Sequence, residues 1–168
     1  DRDLILKNKE VNLNKKIAVF KESSIQLRNL RISAALKLDK YINNELPFLK
    51  LDRAKFKTFI KERNENDWNA TGSDEVIFNI STNPQQDFMP LGKVASGGEL
   101  SRFLLAIKVV LANSARSNTL VFDEVDSGVG GQTADAVGTR LFKLSERNQV
   151  IVITHSPQVA AKGKNHYL

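Results

Sequence analysis

Three short stretches carry residue types suited to phosphate chemistry. Residues 94–102 read Val-Ala-Ser-Gly-Gly-Glu-Leu-Ser-Arg and open a long helical pattern. Ser96 as N-cap with Glu99 three residues later makes a capping box, but capping leaves Gly97 and Gly98 unexplained, since glycine weakens a first turn. Two glycines bare the backbone N–H groups at the positive end of a helix dipole, where an anion can approach closely. The Ser96 hydroxyl can then donate to a phosphate oxygen. Downstream, an apolar run ends in Asp123 and Glu124. Asp123 offers the hard oxygen that Mg²⁺ prefers, directly or through water. Glu124, pointing the other way, can polarise a water for attack on phosphorus. A strand that merely finishes in polar residues would look similar, but Asp126-Ser127-Gly128 and Gly130-Gly131 follow at once and make an acidic, glycine-rich turn. A second apolar run, Val150 to Ile153, ends in Thr154 and His155. A lone histidine is usually structural or solvent-facing; at the same sheet edge as the carboxylates it could contact a terminal phosphate and orient water.

The order and spacing of these pieces, 27 residues from Ser96 to Asp123 and 32 from Asp123 to His155, make one composite signal. The elements that must hold them alternate: helix 97–114, strand 118–123, helix 131–146, strand 149–154. That alternation predicts a parallel sheet with crossover helices, and ligands gather outside the carboxyl ends of such strands. Upstream, residues 54–60 and 75–80 are β-prone and predict an antiparallel pair with a long polar connection, followed by a turn at Asn83-Pro84.

From Leu4 to Leu46 there is neither proline nor glycine. Leu6, Leu13, Phe20, Leu27, Ala34 and Tyr41 recur every seven residues, with Ile17, Leu30 and Leu38 widening the stripe. This predicts a long amphipathic helix, as one strand of a coiled coil or as an ordinary helix packed on its own domain. Lys9, Lys16 and Lys37 interrupt the heptad, and Pro47 ends the helix.

The 168 residues are 41% hydrophobic, enough for one domain with an appendage. With no cysteine, disulfides and thiolate metal sites are excluded, which fits a reducing cytoplasm. No run approaches the roughly 20 apolar residues that cross a bilayer, and no signal peptide is evident, so a soluble chain with no membrane partner is expected. The chain begins with Asp and reads as a fragment cut at both ends. Of the net charge of +6, residues 1–63 hold 16 Lys/Arg against 8 Asp/Glu, and residues 64–168 hold 9 against 11. A basic arm attracts nucleic acid, and a solvated helix face carries the same charges.

Together the motifs resemble the C-terminal lobe of an ABC-type ATPase head. More narrowly, Lys93-Val-Ala-Ser-Gly-Gly-Glu-Leu-Ser-Arg102, Val121-Phe-Asp-Glu-Val-Asp-Ser-Gly-Val-Gly-Gly131 and Ile153-Thr-His-Ser-Pro-Gln-Val-Ala-Ala161 resemble the RecN family. These are SMC-like bacterial proteins of DNA double-strand-break repair. The resemblance implies an α/β fold: parallel strands with crossover helices plus an antiparallel strand pair, preceded by a coiled-coil-like helix. Residues 1–46 would be the end of the arm and 47–168 the lobe. It implies ATP and Mg²⁺ as cofactors. Ser96, Gly97, Gly98 and Glu99 would be the signature motif, reading the γ-phosphate of ATP held by an opposing head. Asp123 would be the Walker B carboxylate for Mg²⁺, Glu124 the catalytic base, Asp126 part of the loop crossing the dimer interface, and His155 the switch histidine. No Gly-x-x-x-x-Gly-Lys-Ser/Thr occurs in the chain; the family carries that Walker A motif in an N-terminal lobe, so this chain alone is expected to be inactive. The implied partners are that lobe, a second copy through ATP-engaged heads, and DNA breaks or ends. The implied location is cytoplasmic and nucleoid-associated. A non-catalytic tethering fragment and part of an ABC transporter ATPase are the alternatives. The basic arm and Glu99, where transporters commonly have Gln, disfavour the transporter.

Overall fold

The computed structural model of the chain describes residues 2–94, 97–112, 119–123 and 125–167. Within these, helix α1 spans Arg2–Glu45, strands β1, β2 and β3 span Lys55–Glu62, Asp74–Ser81 and Met89–Pro90, and helix α2 spans Gly97–Ala112. Strand β4 (Thr119–Asp123), helix α3 (Gly131–Ser145), strand β5 (Gln149–Ile153) and the short helix α4 (Pro157–Ala160) follow. The expected ends at 113–114 and 118 lie outside the described residues. Strands β1, β2 and β3 form one sheet in that order, with β2 antiparallel to β3. Strands β4 and β5 pair in parallel, with Asp123 opposite Ile153. Strand β3 was not foreseen, because two residues ending in Pro90 carry no alternation to read. Among the described residues no helix is long and apolar enough to cross a membrane.

The described residues fall into two compact units. The first lies within Asp1–Lys37 and Thr58–Ile77. Its part of α1 has two characters. Leu4, Ile5, Leu6, Val11, Leu13, Ile17 and Val19 are exposed, although the heptad marks several of them for burial. From Phe20 onward the covered seam runs through Ser24, Leu27, Arg28 and Arg31, spaced i, i+3, i+4, i+7. Ala34, on the expected stripe, is exposed. The seam shifts because polar partners select it. Arg28 Nε donates to Asp74 Oδ1 at 2.8 Å, and Arg28 also pairs with Glu62 at 3.1 Å. Arg31 Nη2 donates to the Thr71 carbonyl at 2.7 Å. Hydrogen bonding to Glu62 first, then to Asp74, holds the Arg28 pKa above its ordinary value. Phe20 stacks on Trp68 with ring centroids 5.2 Å apart. Gly72, at φ 102°, lets the loop turn beneath Leu27; a Cβ there would sit 3.1 Å from the leucine side chain.

The second unit lies within Leu38–Lys57 and Phe78–Leu168. Helix α1 ends at Glu45, and Pro47 starts a 3-10 turn over Leu46–Leu49. Lys50 closes that turn in the left-handed region at φ 57°, its N–H bonding back to the Pro47 carbonyl at 3.1 Å. Arg140 of α3 pairs with Glu45 and stacks over the Phe48 ring at 4.3 Å, fixing the turn to the helix behind it. Asn43 closes the adjacent strand: its Nδ2 donates to Phe56 O at 2.8 Å and its Oδ1 accepts from Phe56 N at 2.9 Å. The core gathers Ile42, Leu46, Leu49, Ile80, Phe103, Leu105 and Val137, all at 1% exposure or less. On β4 and β5, Phe122 is buried and Leu120, Val150 and Val152 are half-buried, while Val121, Ile151 and Ile153 are exposed. The alternation therefore gives this two-stranded sheet one covered and one bare apolar face.

Candidate phosphate-reading site

Helix α2 opens at Gly97 and Gly98, which have different surroundings. A Cβ at Gly97 would meet nothing within 4 Å, whereas one at Gly98 would sit 2.6 Å from the Ser127 carbonyl oxygen. Gly98 is thus demanded by the close approach of the loop after β4. One turn along α2, Arg102 Nε donates to Gly98 O at 3.2 Å, and its Nη1 donates to Leu49 O at 3.0 Å and Lys50 O at 3.2 Å. Burial lowers the Arg102 pKa, and the charge of Glu99 opposes that shift. A guanidinium stays protonated in such a setting, so Arg102 is a fixed cation that ties the helix opening to the turn at Leu46–Leu49.

Asp123, the last residue of β4, is exposed. His155, two residues beyond the end of β5, is exposed as well. The parallel register carries both chains past the same sheet end. Ser96 and Glu124, expected to read phosphate and to activate water, lie outside the described residues. Among the described residues no group of three His, Cys, Asp or Glu side chains is gathered to hold a metal ion.

Asp126 is turned inward, at 0% exposure. Thr154 Oγ1 donates to its Oδ2, and Asp126 Oδ1 has no hydrogen-bond partner among the described residues. The same Thr154 oxygen accepts from Ser156 N at 3.0 Å. The Asp126 carbonyl accepts from Val129 N at 3.1 Å, closing the turn after β4. The start of α2, the turn after β4 and the segment after β5 therefore meet in one place, through the Gly98–Ser127 approach and the Thr154–Asp126 hydrogen bond. Thr154 was missed from the sequence. Its only signal there was a polar residue directly after an apolar strand.

No family model matches the chain. Curated relatives do. The DNA repair protein RecN of Rickettsia prowazekii is 45% identical over 170 residues, covering 97% of this chain and 30% of that protein. The DNA repair protein RecN of Vibrio cholerae is 43% identical over 144 residues, covering 86% of this chain and 26% of its own length. The chain spans about three tenths of the length of the curated relatives it matches. Among solved structures, the Smc head domain with a coiled coil and joint from Pyrococcus yayanosii aligns with a TM-score of 0.65 at 20% identity, over 97% of this chain and 31% of that one. The Smc head bound to the C-winged helix domain of ScpA aligns at 0.63 and 18% identity, over 81% of this chain and 39% of that one. At these identities the likeness speaks for the fold: α/β, as in part of an Smc head.

Proposed function

From the chain's homology to RecN proteins over 97% of its length, we propose that it forms the C-terminal part of an SMC-like ATPase head acting in DNA repair. Residues 1–46 serve as the end of a coiled-coil arm and 47–168 as the lobe. The observation that carries this reading is the convergence of the α2 opening, the end of β4 and the segment before His155, with Gly98 packed against the loop that follows the carboxylates.

The bare N–H groups of Gly97 and Gly98, with Ser96, read a phosphate presented from a second head. The exposed Asp123 carboxylate suits Mg²⁺, which keeps several waters and takes one or two carboxylates together with substrate phosphates. Bound there, the ion would neutralise charge on the phosphates. Glu124 takes the proton of the attacking water, and His155 faces the terminal phosphate. The partners are a lobe bearing a Walker A motif, a second head, and DNA, in the cytoplasm.

Phosphate affinity in this architecture comes mainly from a P-loop's nest of N–H groups and its lysine. The chain by itself is therefore expected neither to bind ATP tightly nor to hydrolyse it. An exposed helix end contributes about 0.3–1 kcal/mol, against the roughly 8 kcal/mol of micromolar binding. Calorimetric titration with Mg-ATP tests this, followed by ATPase assays with and without a Walker A lobe. Micromolar binding by the chain alone would reveal a different nucleotide site, and no turnover with the lobe present would overturn the ATPase reading.

A further inference from the structure

A buried carboxylate with one unpartnered oxygen is a poor way to stabilise a turn, and an apolar residue would fill the space of Asp126 at less cost. What Asp126 does have, among the described residues, is a single side-chain partner from another segment, Thr154. The Thr154 hydroxyl has one hydrogen and spends it on Asp126, while its lone pair accepts from Ser156 N at 3.0 Å. One oxygen thus bonds to the turn after β4 and to the backbone on the far side of His155. Residues 154 and 156 are both held, and His155 stands between them. Ser127, next to Asp126, is the residue whose carbonyl crowds Gly98.

We propose that Thr154 is a positioning residue for His155, and that Asp126, through this hydroxyl, makes the start of α2, the turn after β4 and the His155 backbone move as one body. Asp126 then acts from inside the lobe, with its carboxylate directed to Thr154. The segment on the far side of His155 is also held by Ala160 N, which donates to the Ser156 carbonyl at 3.0 Å, and the Thr154 hydroxyl is the described side-chain contact that ties it to the turn after β4. A head that senses phosphate at the α2 opening could in this way carry a small displacement to His155 through Ser127, Asp126 and Thr154. The inference rests on the reading of His155 as a phosphate-facing residue, and its first test is independent of that reading.

The chain has two histidines, so His166 is an internal reference in the ring-proton NMR spectrum of His155. Thr154→Val removes the hydroxyl at nearly constant volume and is expected to shift or broaden the His155 signals while those of His166 stay in place. Thr154→Ser keeps both hydrogen bonds and should leave His155 as in the parent. If Thr154→Val does not fold, Thr154→Ala makes the same comparison. Unmoved His155 signals in a folded variant lacking the hydroxyl would overturn the proposal, and so would equal displacement by the serine variant. The second test uses the protein joined to its Walker A lobe. There Thr154→Val is expected to lower kcat about tenfold with KM for Mg-ATP within about twofold, as a misplaced group does. In a His155→Ala background the same change should add nothing, and a full additive loss would overturn the positioning role. If His155→Ala alone leaves turnover intact, the phosphate-facing role of His155 fails, while the NMR comparison still decides whether Thr154 positions it.

Discussion

Among the described residues two carboxylates lie below the surface, Asp74 at 3% exposure in the arm-bearing unit and Asp126 at 0% in the motif-bearing unit. Asp74 is met by charge: Arg28 at 2.8 Å and Arg31 at 3.7 Å, with Glu62 sharing Arg28. Among the described residues Asp126 is met by one neutral hydroxyl. The first arrangement compensates the burial of charge and fixes helix α1 to the end of β1 and the start of β2. Each carboxylate keeps one oxygen without a hydrogen bond among the described residues, but Asp74 Oδ2 has the Arg31 guanidinium at 3.7 Å, whereas Asp126 Oδ1 has no ion-pair partner there. In the proposed reading the arm-bearing unit supplies mechanical attachment and the motif-bearing unit supplies chemistry.

The largest expected effect tests where chemistry resides. In the protein with its Walker A lobe, Glu124→Gln should cut turnover roughly 10²–10⁴-fold while Mg-ATP still binds, because the amide keeps the shape but takes no proton. Asp74→Asn should leave turnover per folded molecule near the parent value. Parent-like turnover in Glu124→Gln, or a comparable loss in Asp74→Asn, would erase the division between the units.

Stability should divide the other way. Asp74→Ala takes one carboxylate from Arg28, which keeps Glu62, and the ion pair from Arg31, which keeps the Thr71 carbonyl. It should cost about 3 kcal/mol in urea unfolding, the low end for a broken buried pair. Asp126→Ala strands only a hydroxyl and should cost about 1–3 kcal/mol. A reversed order would mean that Asp126, too, is chiefly a structural anchor.

Within the motif-bearing unit, the two glycines sharpen the picture further. Gly98→Ala drives a methyl into the Ser127 carbonyl and should destabilise by about 1–3 kcal/mol. Gly97→Ala meets open space and should stay within about 0.5 kcal/mol of the parent in thermal melts. Equal effects would show that the close approach at Gly98 is relieved by movement of the loop.

The smallest effect concerns the arm. Exchanging the exposed Lys7, Lys9, Lys15 and Lys16 for alanine should weaken DNA binding and lower the slope of log K against log salt by up to about 0.9 per lysine that meets a phosphate. An unchanged slope in a titration across salt concentrations would leave these lysines as a solvated helix face.

The sequence by itself determined the order and type of most elements. Alternation and apolar runs bounded by Gly and Pro mark β1, β2, β4 and β5, and the proline-free stretch before Pro47 marks α1, since these signals depend on near neighbours along the chain. It also delivered the α/β class and the RecN-like motifs, because local chemistry, glycine for close approach and carboxylates at a strand end, is written in consecutive residues. The tertiary structure decided which face of α1 is covered. The Ser24–Leu27–Arg28–Arg31 seam is chosen by Glu62, Thr71 and Asp74, residues more than 30 positions away. It decided that Asp126 points inward and that Thr154, 28 residues on, is its partner. It also decided which of two adjacent glycines is sterically required. Each of these turns on a contact between segments distant in sequence, and a hydrogen bond, or a place with no room for a Cβ, exists only once the backbone has brought both partners together.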